Sequence, residues 1–331
     1  MSKKVILDVD TGSDDAVAIM TAVLSPALDV VAVCSVAGNK CIDMTTENTL
    51  RVIQMLGVDV PVYRGCKEPL VRLLCPDRIV HKKVPTIVDG KEVQMHYDYL
   101  DLPPAKIHEQ DMPAPAFYVD YLRHAKEPVT LIAVGPLTNL ATAFIMDPDI
   151  IRNIEQIVLM GGGYRETNVS ATAEFNIWYD PEAAQRVLHC GAKVTVVPLD
   201  ATHRAYITDE DCKRIRACGT KPAELTAELC EQRIVMHNAA NPLAVPNATA
   251  LHDALAVCAV IDETVLQDVI YTHCDVGFRD YSEGQTILDP RYYSEKRNCY
   301  FALNGDRIKF VNMLCEILSL KGDSHGKEGN S

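Results

Sequence analysis

Between Lys4 and Lys40 the chain contains no lysine or arginine. Asp8, Asp10, Asp14 and Asp15 all fall inside that gap. Basic residues are scarce throughout, 32 against 45 acidic ones, for a net charge of −13. That balance argues against a nucleic-acid-binding or anionic-membrane surface. No apolar run approaches the ~20 residues of a membrane span. Lys3-Lys4 leads directly into a β-branched run, with no apolar signal region or cleavage site. Cys-x-x-Cys spacing is also missing, and several of the twelve cysteines (Cys34, Cys258, Cys315) sit inside apolar runs. They read as reduced core thiols of a cytoplasmic protein, not as a disulfide framework or a zinc site. No repeat or linker interrupts the chain. It therefore reads as one domain, 1–320, followed by a polar, disordered tail, 321–331.

The unneutralised aspartates belong to Val5-Ile6-Leu7-Asp8-Val9-Asp10-Thr11-Gly12-Ser13-Asp14-Asp15-Ala16. Val5 to Val9 has the continuous apolar texture of a buried parallel strand. Gly12 allows a tight turn. Ser13 reads as an N-cap, with Asp14 and Asp15 in the first turn of a helix reaching about Leu24. Asp8 and Asp10 share a strand face, and Asp10 stands at its carboxyl end, where open α/β sheets bind ligands. Three or four carboxylates thus converge. Crowded carboxylates repel, and a hard cation with oxygen ligands is their natural partner.

Strand and helix patterns then alternate. Strand-like runs recur at Asp29–Val36, Val129–Val134, Ile157–Met160 and Lys193–Leu199, separated by helical stretches that include Ala223–His237 and His252–Ile261. This order predicts an α/β fold of Rossmann-like type: a mostly parallel sheet with helices on both faces. Pro76–Pro115 differs in texture. It is polar, carries His81, His96 and His108, and has no clean periodicity, so it reads as an active-site loop or insertion. Asn238–Thr249 is a second polar loop.

Unusual residues gather at the predicted carboxyl ends of strands. Asn39 ends the second, Val134-Gly135 another, and Met160-Gly161-Gly162-Gly163 a third. Asn168, Glu174 and Asn176 surround Phe175. Glu174 and Asn176 are expected on one side of an extended segment, a grip suited to ribose hydroxyls. His252-Asp253 heads the last strongly apolar helix and adds another oxygen ligand. Asp200, after a strand, reads as a side-chain-to-backbone brace.

Taken together, these segments resemble the nucleoside hydrolase family, the inosine-uridine type of ribohydrolase. The resemblance rests on Asp-x-Asp-x-Gly-x-Asp-Asp-Ala at Asp8–Ala16, Ala37-Gly38-Asn39, Gly135-Pro136-Leu137-Thr138-Asn139, Met160–Tyr164, Ala173–Asn176 with Asp180-Pro181-Glu182-Ala183, and His252-Asp253, in the family's order. The rival aspartyl-phosphatase pattern wants Thr or Val where Gly12 stands, and no later acidic pair stands in the setting that family needs. The resemblance implies a tightly held Ca²⁺ with Asp10, Asp15, the Val134 carbonyl and Asp253 as ligands. It implies that Asp14, Asn39, Met160, Asn168, Glu174 and Asn176 surround the ribose, and that the enzyme forms dimers or tetramers. Thr11 replaces the family's usual Pro. The family's His-Gly-x-x-Gly segment is absent, and His81-Lys82-Lys83-Val84-Pro85 stands in the insertion instead. His81, Phe175 and His237 are the residues expected near the base.

An N-ribosidic bond breaks through an oxocarbenium-like state, so the expected chemistry is an activated water with Asp10 as base and His252 as proton donor to the leaving base. The expected partner is a small ribonucleoside. The alternatives are a hydrolase of a modified ribosyl compound and a catalytically silent nucleoside-binding protein.

Overall fold

The computed structural model describes residues 2–75, 78, 85–289, 291 and 296–320. The expected tail at 321–331 and His81 lie outside the described residues. Its strands are β1 Lys3–Val9, β2 Leu28–Ser35, β3 Val62–Arg64, β4 Thr86–Val88, β5 Lys91–Val93, β6 Val129–Ala133, β7 Ile154–Met160, β8 Val194–Val197, β9 Tyr206–Thr208, β10 Ala248–Ala250, β11 Leu266–Val276, β12 Thr286–Asp289 and β13 Cys299–Gly305. Its α-helices are α1 Ser13–Leu24, α2 Ile42–Leu56, α3 Ala114–His124, α4 Thr138–Met146, α5 Phe175–Tyr179, α6 Pro181–Leu188, α7 Leu199–Thr202, α8 Asp209–Arg216, α9 Lys221–Ala240, α10 His252–Ile261 and α11 Arg307–Leu318. No helix among the described residues is long and apolar enough to cross a membrane.

Nine strands form one sheet in the order β12-β11-β13-β8-β7-β6-β1-β2-β3. From β13 to β3 every pair is parallel; β11 and β12 close one side antiparallel. The central strands are apolar on both faces because helices cover both. Val5, Leu7 and Val9 of β1 pack into the core formed with α1, α9, α10 and α11, while Ile6 packs into the core formed with α3, α4 and α6. The strand order reverses direction at β1 and β6: β1 runs on to β2 and β3 on one side, and β6 runs on to β7 and β8 on the other. Ligands bind at such a switch point, outside the carboxyl ends of the strands.

Local chemistry accounts for several helix starts. The Asp180 carboxylate caps α6, accepting from Ala183 N at 3.1 Å, and Pro181 fills the first position. Thr220 and Asp306 cap α9 and α11 in the same way.

Four local expectations change. Ser13 is the first residue of α1, not its cap. Glu174 and Asn176 are not in an extended segment: Glu174 caps α5, and Asn176 lies in its first turn. His237 belongs to the last turn of α9, which runs three residues beyond the expected end. The 76–115 stretch contains the β4–β5 hairpin, too short and exposed to show a periodicity, and α3 begins inside its far boundary.

Leu131 in the middle of β6 is fully buried. Leu131→Ala should lower unfolding free energy by about 2–5 kcal/mol, through lost apolar burial and the cavity left behind. Urea denaturation measures it, and a change below about 1 kcal/mol would show that this layer is not close-packed.

Candidate active site

The opening motif folds back on itself. β1 ends at Val9, and the chain turns through Asp10, Thr11 and Gly12 into α1. The Asp15 carboxylate reaches back to accept from Asp10 N at 3.1 Å and Gly12 N at 2.9 Å. Asp10 Oδ2 accepts from Asn39 N at 2.6 Å, and the Asn39 amide donates to Asp15 Oδ2 at 3.3 Å. A Cβ at Gly38 would lie 2.2 Å from Asp10 Oδ2, and one at Gly135 would lie 2.9 Å from Asp10 Oδ1. Both glycines are therefore needed for the backbone to close around this carboxylate.

Asp14, Asp15 and Asp253 each bring one oxygen to within 4.8 Å of the others, all buried. With Asp10, only 1% exposed, four carboxylates share one water-poor volume. Burial, then the charge of Asp15, pushes Asp10 well above the usual carboxylate range. Burial, then Asp14, raises Asp15 to about 6. Asp253 is pushed up by burial and then by the other three aspartates. Among the described residues, one guanidinium enters the group. Arg233 of α9, 2% exposed, donates to Asp14 Oδ1 at 3.0 Å, Ser13 Oγ at 2.7 Å and Ala250 O at 2.8 Å. One guanidinium against four carboxylates leaves a deficit of positive charge in a set of hard oxygen donors. That chemistry fits a metal ion.

Asp8 stands apart from the cluster. It accepts from Tyr118 Oη and Asn139 Nδ2, both at 2.9 Å. Burial raises it to about 7. Of the three or four opening aspartates expected to converge, three do, and Asp8 stays out because Asn139 and Tyr118 hold its side chain. Asp253 supplies the fourth carboxylate instead.

A second wall comes from β6, β7 and α5. Asn176 Nδ2 bridges the Val134 carbonyl at 2.7 Å and the Met160 carbonyl at 3.2 Å. Glu174 accepts from Gly162 N and Asn176 N, each at 2.9 Å. Burial raises it to about 7 against these donors. Asn168 Oδ1 accepts from Phe175 N at 2.9 Å and holds the loop onto α5. Asp200 accepts from Tyr164 N and Arg165 N, the brace expected of it.

Histidines form the remaining side. His252 Nδ1 lies 2.7 Å from Thr202 Oγ1, with the His203 ring 5.7 Å away. Burial, then Arg233 and the neighbouring histidines His203, His237 and His96, holds His252 well below the ordinary histidine range. His237 pairs its Nδ1 with Asn241 O at 2.9 Å, and burial lowers it to about 4. Among the described residues, the loop histidine in contact with the opening motif is His96: its Nδ1 lies 3.1 Å from Ser13 N and 3.9 Å from Asp14. Lys40 and Asn48 pin its loop by bonding Asp98 and Leu100.

Sequence reasoning missed His96 and Arg233 as site residues. His96 carries no recognisable signal, being one of three histidines in a polar loop. Arg233 did carry one. It lies with Leu229, Cys230, Ile234 and His237 in the buried stripe of α9, where a charge requires a partner.

The sequence matches the family described as inosine-uridine preferring nucleoside hydrolase over residues 5–312. Relatives include the pyrimidine-specific ribonucleoside hydrolases RihA of Enterobacter sp. (strain 638), 37% identical over 96% of this chain and 98% of that one, and of Photobacterium profundum, 34% identical over 96% and 99%. Among solved structures, the purine-preferring ribonucleoside hydrolase from Gardnerella vaginalis superposes with a TM-score of 0.83 at 28% identity, covering 97% of this chain and 99% of that one. The fold is of the α/β class and matches that of nucleoside hydrolases, and the chain belongs to the inosine-uridine preferring nucleoside hydrolase family.

The cluster has a stability signature. A carboxylate whose pKa is raised by folding binds protons more tightly in the native state. Stability is therefore lost as pH rises from the unfolded value near ~4 through the folded values, about 6 for Asp15. Chelator-treated protein should melt at a lower temperature at pH ~7.5 than at pH ~5.5, and added Ca²⁺ should restore more at the higher pH. Differential scanning calorimetry decides it. A chelated protein that melts alike at both pH values and ignores Ca²⁺ would remove the cation from the cluster.

Proposed function

We propose that this nucleoside hydrolase splits the N-glycosidic bond of ribonucleosides into free base and ribose at the cluster centred on Asp10. The observation carrying this reading is the meeting of four buried carboxylates with the amides of Asn39 and Asn176 at the switch point. Ca²⁺ fits this donor set, held by Asp10, Asp15, Asp253 and the Val134 carbonyl, with Asp14 left to its pairing with Arg233. When bound, the ion would supply positive charge that acidifies water and draws sugar hydroxyls.

The protein groups supply the rest. Asp10, oriented by Asn39 N, takes a proton from the attacking water, whose oxygen ends on the anomeric carbon of ribose. Asp14, Asn39, Met160, Asn168, Glu174 and Asn176 ring the sugar, where acceptors and amides suit vicinal hydroxyls. Their carboxylates stabilise positive charge developing on the ribosyl carbon. His252 contributes as a neutral ring. Burial and Arg233 hold it well below the ordinary histidine range, so the base departs hydrogen-bonded to a ring N–H, and the proton that Asp10 took from water passes to the base through solvent. Phe175, His237 and His96 border the base. His96 adds a second loop histidine to the expected His81, because its ring touches Ser13 and lies beside Asp14.

The RihA relatives are pyrimidine-specific, so uridine and cytidine stand first as substrates, with inosine as the purine control. A homo-oligomer, dimer or tetramer, belongs to the same reading and is checked by sedimentation. Asp10 and His252 standing together favour turnover over silent binding.

Ribose release from a nucleoside panel tests the activity. Asp10→Ala should lower kcat by more than the ~10²–10⁴ expected for losing a general base alone, because a metal ligand goes with it. His252→Gln should lose more on uridine than on p-nitrophenyl riboside, whose leaving group needs no help. Equal losses on both substrates would remove His252 from the leaving-group role, and an Asp10→Ala enzyme with near-normal turnover would make the cluster structural.

A further inference from the structure

A neutral imidazole carries hydrogen on one nitrogen and a lone pair on the other, so a histidine's use depends on which nitrogen is which. The two nitrogens of His252 have different surroundings. Nδ1 lies 2.7 Å from Thr202 Oγ1, and Nε2 has no hydrogen bond among the described residues. His237 Nε2, by contrast, is sealed in the interior without a partner; His252 Nε2 is not enclosed in that way.

Thr202 has one hydroxyl proton and two acceptors within range. His252 Nδ1 is at 2.7 Å and Leu199 O at 3.4 Å. The shorter contact is near the optimum for an O–H donor, while the longer lies beyond it. Thr202 is fully buried, so no water competes for its hydroxyl. Its position is fixed from below. α7 follows β8 directly, Leu199 N donates to Gly162 O at 3.0 Å, and Thr202 N donates to Pro198 O at 3.1 Å. A β-branched side chain on so short and anchored a helix has little rotamer freedom.

We propose that Thr202 is a positioning residue whose hydroxyl donates to His252 Nδ1, thereby placing the ring hydrogen on Nε2 and making His252 a hydrogen-bond donor toward the departing base. This inference rests on the leaving-group role of His252. The opposite arrangement, with Thr202 turned to Leu199 O and hydrogen on Nδ1, would present a bare Nε2. A bare nitrogen repels the lone pairs of the leaving base and could serve only as an acceptor. A single hydroxyl thus decides whether the ring assists departure. Thr202 itself touches neither sugar nor base.

The test uses the full-length enzyme in Ca²⁺. Histidine-selective ¹⁵N labelling, with the His252 signals assigned by comparison with His252→Gln, reads the tautomer directly. The wild type should show hydrogen on Nε2 and a hydrogen-bonded lone pair on Nδ1. Thr202→Val keeps the shape and removes the hydroxyl. It should lose about 10–100-fold in kcat on uridine, the range for a partner that orients a functional histidine. It should lose much less on p-nitrophenyl riboside, and Thr202→Ser should restore most of the difference. A wild-type spectrum with hydrogen on Nδ1 would overturn the proposal even if the valine variant failed to fold. So would a folded Thr202→Val enzyme with equal losses on both substrates, or with none. If His252→Gln itself lost equally on both substrates, the leaving-group reading would fall instead, while the spectrum would still report which nitrogen Thr202 addresses.

Discussion

Like-charge repulsion within one buried volume governs this molecule. Asp10, Asp14, Asp15 and Asp253 are held together by backbone geometry: two glycines admit the chain to Asp10, and the start of α1 turns Asp15 back on it. Burial raises the affinity of these groups for protons, and each carboxylate raises it further in its neighbours. Arg233 offsets one charge only. The arrangement is costly for folding, and its unspent negative charge suits a hard cation.

The sheet sets the location of that cost. β1 and β6 diverge in connection, so the chain leaves their carboxyl ends in opposite directions and opens a crevice between Asp10 and Val134. The neighbouring β7 delivers Met160 and the glycine run, and α5 delivers Glu174 and Asn176 against it. Asn176 ties the two walls together by bonding both carbonyls. Packing on each face of the sheet supports these walls from below.

The histidine side is built differently. His252, His203, His237 and His96 come from two helices, a turn and a loop, and burial with Arg233 lowers both His237 and His252. In such surroundings a ring acts through the orientation of one N–H and one lone pair, which makes small neighbours such as Thr202 consequential. The relatives of this chain differ in stated base preference, pyrimidine-specific for RihA and purine-preferring for the Gardnerella enzyme. In this chain α9 and the 94–100 loop stand on that histidine side.

The sequence alone determined the alternating α/β order, the position of Asp10 at a strand's carboxyl end, and the pairing of Asp14 and Asp15 on one helix turn, because period and turn chemistry are local properties. It also marked Asn39, Met160, Glu174, Asn176 and Asp253, each beside a glycine turn or a helix start. Tertiary structure decided what depended on contact between distant segments. It withdrew Asp8 from the cluster, since Tyr118 and Asn139 arrive from α3 and α4. It brought His96 across more than eighty residues to Ser13 and Asp14, and Arg233 across more than two hundred to Asp14. It turned the 174–176 segment from strand to helix start, where the Glu174 carboxylate accepts from the backbone N–H groups of Asn176 and Ile177. Spacing along a chain reports neighbours on one element. The partners of a buried charge are chosen by packing, and packing is a property of the whole fold.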